Sequence, residues 1–502
     1  MICLPSIPIK RTWLIKVVAA FLILAQLTAC HSSGGPISTP EPSENNNYPE
    51  SPVVINTPLP VREAYSPGQL VDYIACSGDT LPGLASRFNT TIKEIQQANP
   101  IIPNDASTMP PGFPMKIPIY YQSLWGTPFK ILPDSRFVFG PADKGFDPVS
   151  YVRAQPGWLK NYSVYASGST RDGGQMVELL ANNYSVSPRL ILAIIEYQTG
   201  ALTDPLKKPD SDDYPLGYKD TGHKGLYLQL SWAVNYMSNG YYDWRSGNLK
   251  TFDLQDGRLE RPDPWQNAGT VGLQYYFAKI LRSDEYQKAI NSDGFYATYV
   301  KLFGNPWEGD INTIPGSLKQ PYLRLPFLGG KSWSFTGGPH SPWGDGAPFA
   351  AIDFAPPAVV GGCSISNEIV VAMADGVIAR AEPAIAVLDL DGDGDERTGW
   401  NIFYLHLASA DMIKAGTIVK SGDRLGRPSC EGGHATGTHI HIARKYNGEW
   451  ILADGPIPFD VEGWVAKDGP QAYKGTLTKY SRTVEASESS DIATQIQSEA
   501  PR

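Results

Sequence analysis

The stretch GTHIHI, residues 437–442, sets two histidines one residue apart in a chain that has only seven. An isoleucine follows each, the pattern of a buried or half-buried strand, on which residues i and i+2 share a face. His439 and His441 therefore stand side by side, opposite Ile440 and Ile442. Five of the seven histidines fall after residue 339: His340, His406, His434, His439 and His441. Zinc in a hydrolase takes three protein ligands, usually His and carboxylate, and keeps one position for water. The ion acidifies that water and polarises the scissile carbonyl. A second group must then move a proton or stabilise the oxyanion. A strand with His at i and i+2 can supply one ligand and one such helper. Alone, H-x-H is a weak signal, because other metal folds and chance also produce it.

The surrounding sequence sharpens it. GGPHSPWGDGAPFAAIDFAPP places His340 and Asp353 thirteen residues apart (353 − 340 = 13), across a Gly-, Pro- and Trp-rich loop able to bring both to one ion. FYLHL adds His406, and GGHATGTHIHI adds the pair. Over residues 325–465 this set resembles the lysostaphin and beta-lytic zinc endopeptidases, or LytM domains, which cut peptide bonds of bacterial peptidoglycan. The wide His–Asp spacing is similar to that of the beta-lytic branch. The resemblance implies that His340, Asp353 and His441 bind zinc. It also implies that His406 and His439 form the catalytic pair, one handling the proton of the attacking water and the other the oxyanion. His434 reads as a surface loop residue. A silent member kept as a peptidoglycan-binding scaffold or regulator of hydrolysis is the alternative; such members lose zinc ligands, and this chain keeps them.

The elements that must position this set follow. WNIFYLHLA alternates, with Ile402, Tyr404 and His406 expected on one face. NEIVVAMADGVIARAE reads as two strands about Asp375–Gly376, and RKYNGEWILA as a hairpin about Asn447–Gly448. An antiparallel, β-rich peptidase domain over 321–477 results. DLDGDGDERTGW, residues 389–400, resembles the start of a calcium loop through Asp389, Asp391 and Asp393, but its twelfth position is Trp400 instead of glutamate. The bland reading is a solvated hairpin tip.

Upstream, residues 146–320 read as mostly helical, with Ser187 and Pro188 opening one helix. SPRLILAIIEYQTG is similar to lysozyme-like lytic transglycosylases, whose catalytic glutamate would align with Gln198. Glutamine cannot act as a general acid, and Glu196 lies about 200° away on the helix. A non-catalytic lysozyme-like domain is expected. Residues 69–120, with SGDTL, ASRFNTTIKEIQQAN and a closing IPI, resemble the LysM module, a βααβ unit that binds N-acetylglucosamine-containing glycans. The resemblance places its sugar groove at Gly78, Asp79, Thr80 and Leu81 and at Asn99, Pro100 and Ile101. Residues 121–145 read as a connector and 478–502 as a disordered tail.

The N-terminus carries Lys10, Arg11 and Lys16, an apolar run from Val17 to Leu24, and Leu27-Thr28-Ala29-Cys30. This looks like a lipoprotein signal peptide, residues 1–29, with lipidation at Cys30, a membrane anchor and export towards the cell wall. The Ser-, Pro- and Asn-rich 30–68 reads as a flexible linker. Export permits a disulfide; Cys363 with Cys430 is the candidate pair and Cys76 the odd thiol. A net charge of −9 argues against a nucleic-acid partner. The fold class expected is a multidomain α+β chain: a LysM module, a helical domain and an antiparallel zinc peptidase domain.

Overall fold

The computed structural model describes residues 65–500 apart from 121, 123–125, 208–212 and 358–360. The signal peptide, Cys30 and nearly all of the linker lie outside the described residues. Among those residues, no helix is long and apolar enough to cross a membrane.

The first module pairs Gln69–Ile74 antiparallel with Pro114–Ile119 around the helices Leu81–Arg87 and Ile92–Ala98. Thr80 caps the first helix, and Thr91 with Glu94 forms a capping box on the second. The helical domain follows. Its longest helices are Gly173–Tyr184, Pro188–Thr199, Leu226–Ser246 and Ala268–Ile280. The connector expected over 121–145 is part of this domain, because Ile131, Leu132, Phe137 and Val138 are buried in the helical core.

The C-terminal domain is built on a nine-stranded antiparallel sheet. Its centre runs Ile385–Asp389, Trp400–Leu405, Ile440–Tyr446, Ala351–Ala355, Ser332–His340. Alternation divides the side chains between two cores. Ile402, Tyr404, Ile440, Ile442, Ile352 and Phe354 face the domain's own core, while Phe403, Leu405, Ala443 and Ala351 face the helices. Asn447 and Gly448, both at positive φ, make the expected hairpin turn. The hairpin expected about Asp375–Gly376 does not form. Val370–Val371 pairs instead with Arg424–Gly426, and Gly376–Glu382 with Ile385–Asp389.

The expected disordered tail is ordered through residue 500. Arg482–Glu485 completes a four-stranded sheet, and Gln495–Gln497 joins the edge of the main one. Single apolar residues anchor these short strands: Val484, Ala486 and Ile496 are all in the core. So few apolar residues among polar ones give no visible period.

Candidate active site and metal centre

His441 lies at the centre of the sheet, and antiparallel register fixes its neighbours. Leu405, His441, Asp353 and Gly337 form one row across four strands. A side chain at Gly337 would collide with the Asp353 carboxylate. Irregular register on both sides of Gly337 carries His340 to the same place. The atoms that face one another are His340 Nε2, His441 Nδ1 and Asp353 Oδ1. His340 Nε2 lies 3.0 Å from His441 Nδ1 and 3.4 Å from Asp353 Oδ1, and His441 Nδ1 lies 3.1 Å from Asp353 Oδ1.

The remaining imidazole nitrogens decide what this triangle can hold. His340 Nδ1 donates to Gly338 O at 2.8 Å and His441 Nε2 to Pro342 O at 3.1 Å. A carbonyl only accepts, so each of these nitrogens carries the ring proton. Two nitrogen lone pairs and a carboxylate oxygen therefore converge, and Asp353 Oδ1 is buried without a hydrogen-bond donor. Three buried acceptors facing one another call for a cation. Ligands about 2.0–2.1 Å from a tetrahedral zinc stand about 3.3–3.4 Å apart, so the residues present fit the ion. Burial pushes His340 down to about 4, against the pull of Asp353. Burial alone would raise the Asp353 carboxyl, but the facing imidazoles hold it well below the usual range.

His406 and His439 follow the same rule. His406 Nδ1 donates to Glu431 O at 2.7 Å and His439 Nδ1 to Gly437 O at 2.8 Å, which leaves each Nε2 as an acceptor. Their ring centroids are 4.4 Å apart, and His439 Nε2 lies 3.8 Å from Asp353 Oδ2. Simple alternation would have put His406 with Ile402 and Tyr404, in the opposite core. Instead it follows the end of its strand at φ +72°, a conformation uncommon outside glycine, and this turns the ring towards His439. Burial, with His439 and His441 nearby, pushes His406 down to about 3. The disulfide Cys363–Cys430 lies beside this pair. Cys76 is a free thiol, and His434 is exposed.

Two contacts at the site carried no sequence signal. Tyr473 stacks on His340 at 4.0 Å. Asn235, on the helix Leu226–Ser246, exchanges two hydrogen bonds with the backbone of Asp345, in the loop between His340 and Asp353. Both depend on chain segments more than 100 residues from one of their partners.

The other expected sites fare differently. In the first module, Gly78, Asp79 and Leu81 are buried and Thr80 is the helix cap. Asp79 is a structural hub, accepting from Cys76 N, Tyr73 and Arg87. The Arg245 guanidinium presses on Gly78, and Ile314 bonds to Ser77. Asn99 is also structural, bonded to Ile95 and Lys116. Of the expected sugar contacts, only Pro100 and Ile101 are open to solvent. Asp389, Asp391 and Asp393 do cluster, but their carboxylates accept from the loop's own amides and from Thr398. That accounts for the acidic run as a hairpin tip. In the helical domain, Gln198 bonds to Tyr276, and Glu196 is buried on Leu202 N and Thr203.

One chain thus carries a βααβ module, a helical domain and an antiparallel sheet whose centre holds a buried His–Asp–His cluster. Residues 73–118 match the LysM domain model, and residues 130–317 match the model of the LasA N-terminal domain. The chain is 25% identical over 345 residues to protease LasA of Pseudomonas aeruginosa strains PAO1 and UCBPP-PA14; the match covers 64% of this chain and 75% of each relative. Similar solved structures include the M23 metalloprotease pseudoalterin, at 24% identity and TM-score 0.29, covering 33% of this chain and 96% of that one. The catalytic domain of lysostaphin from Staphylococcus simulans is similar at 22% identity and TM-score 0.18, covering 24% and 89%.

Proposed function

We propose that this chain is a zinc endopeptidase that cleaves stem or cross-link peptides of bacterial peptidoglycan. The observation that carries the reading is the outward commitment of every imidazole N–H, which leaves His340, Asp353 and His441 as three converging, buried acceptors. Zinc bound there would supply Lewis-acid polarisation of the scissile carbonyl and acidify a water. His406 and His439 face the same space with Nε2 free to accept a proton. Burial keeps His406 neutral at ordinary pH, so it returns any proton it accepts readily, as a leaving amine requires. The two rings divide the proton transfer and the support of the oxyanion between them. Export and lipid attachment at Cys30 complete the proposal and would keep the enzyme facing the wall. Loss of palmitate labelling in Cys30→Ser tests the attachment.

The first experiment digests purified peptidoglycan with protein lacking the first 30 residues and identifies the products by mass spectrometry. Peptide-bond cleavage that disappears in His441→Ala is expected. An intact peptide network would favour the scaffold reading, and anhydro-sugar ends would return catalysis to the helical domain.

A further inference from the structure

The loop expected to hold glycan at Gly78–Leu81 is covered by the chain's own Arg245 and Ile314, which leaves Pro100 and Ile101 as the exposed part of that groove. A cleft of about 920 Å³ opens beside the first module, near the upper end of ligand-site sizes. It is lined by the module's Asp105, by the segment Leu318–Arg324 and by the turn that follows strand Gly475–Lys479.

We propose that this cleft binds the glycan strand of peptidoglycan, an inference that rests on the cell-wall reading above. Two exposed tyrosines flank it, Tyr322 at 71% and Tyr480 at 95%, with the Lys479 ammonium 5.9 Å from the Tyr480 ring centroid. Tyr480 sits at φ +54° in a two-residue turn closed by Lys479 and Arg482. Gly and Asn supply that conformation at low cost. A bulky aromatic there, buried against nothing, points to a surface role. Such rings match the apolar faces of pyranoses. The polar lining is of both signs, with Asp105, Lys319, Arg324 and Asp460, and it suits hydroxyl and acetamido groups. Arg324 Nε is buried without a hydrogen-bond partner. A nucleic acid would require a basic face, and a lipid or helical peptide would require an apolar one.

The cleft also stands at a fixed distance from the chemistry. Tyr473, stacked on His340, precedes strand Gly475–Lys479, and Tyr480 follows it. That strand's five residues span about 17 Å. A strand held in the cleft would thus be anchored about that far from the metal centre, leaving its peptides to reach inward.

The test titrates the whole protein with glycan strands freed of their peptides, and separately measures zinc content and hydrolysis of a short soluble peptide. Tyr322→Ala with Tyr480→Ala should weaken glycan binding about tenfold, the size expected for two lost ring contacts, with melting temperature, zinc and peptide hydrolysis unchanged. The same tenfold loss in a chain that cleaves nothing would uphold the cleft and sink only the peptidase reading. Unchanged glycan affinity in the double variant would overturn the proposal, as would a loss seen only with stem peptides or only in Ile101→Ala.

Discussion

Removing the disulfide should separate zinc binding from turnover. Cys363 and Cys430 close a loop of 67 residues, and the Cys430 side is tied directly to the proposed catalytic pair, His406 and His439. Glu431 O accepts from His406 Nδ1, Ser429 N donates to His406 O at 2.7 Å, and His439 N donates to Ser429 O at 3.3 Å. The proposed zinc ligands instead sit on strands Ser332–His340, Ala351–Ala355 and Ile440–Tyr446, in the middle of the sheet. Chain entropy sets a ceiling of about 4 kcal/mol for a loop of this length. Bonds from Thr438 to Gly362 and from Ser366 to Pro428 still hold the loop, so about 2–3 kcal/mol is expected. Loosening groups that orient an active side chain costs about 10–100-fold, or about 1.4–2.7 kcal/mol in the barrier. The double variant Cys363→Ser, Cys430→Ser should therefore melt several degrees lower, keep one zinc per chain and lose about 10–100-fold in kcat. Metal analysis, calorimetry and hydrolysis of a soluble peptide read out the three effects. A kcat within twofold of the parent, or zinc and activity lost together, would refute the division between sheet-borne ligands and loop-held helpers.

His406→Ala and His439→Ala should each keep zinc and lose about 10²–10⁴-fold in turnover, the usual worth of a positioned acid or base; loss of stoichiometric zinc would make them ligands. Glu396 offers a pH prediction: burial alone would raise it, but Arg380 at 2.5 Å and Lys445 at 2.7 Å hold it at about 2. A depressed carboxyl stabilises fully above its ordinary value of about 4.3, and that stability is lost as pH falls from there towards 2. Glu396→Gln leaves buried Lys445 without a counter-charge and Arg380 with only Glu382, 3.5 Å away, so it should cost about 3–5 kcal/mol at neutral pH and flatten acid denaturation between pH 4.5 and 2; an unchanged acid profile would remove Glu396 from that role.

Much of the site was legible because its signals were local. The i, i+2 periodicity of GTHIHI turns both histidines away from Ile440 and Ile442, and those isoleucines do enter the opposite core. His340 and Asp353 stood out by residue type, in a stretch whose glycines are needed for close approach. His406 was found by type but placed on the wrong face, since a single left-handed residue reverses alternation without leaving a trace in composition. The tail reads as polar coil because its two short strands carry one apolar residue each, and only a sheet edge gives them a place. The cover over the expected sugar loop is not legible within one module, since what presses on Gly78 is an arginine 167 residues further on (245 − 78 = 167).

That arginine changes how the modules work together. Arg245 makes a two-pronged bond to Glu449 beside the peptidase hairpin, with Nε and Nη2 each 2.8 Å from a carboxylate oxygen. Its Nη1 donates to Ser77 O in the first module, and the residue itself belongs to the helical domain. One guanidinium thus joins three regions that the sequence presents as separate. A bidentate, buried pair of this kind has a fixed geometry that a lysine could not reproduce. A module on a flexible tether raises the concentration of substrate over a broad range of distances. A module locked to the enzyme offers a single distance and orientation between what it grips and the metal centre. Selection among wall peptides would then come from where the glycan is held as well as from the shape of the site. Arg245→Lys, which keeps the charge and loses the fork, is the substitution that would loosen that geometry while leaving all five residues of the proposed chemistry in place.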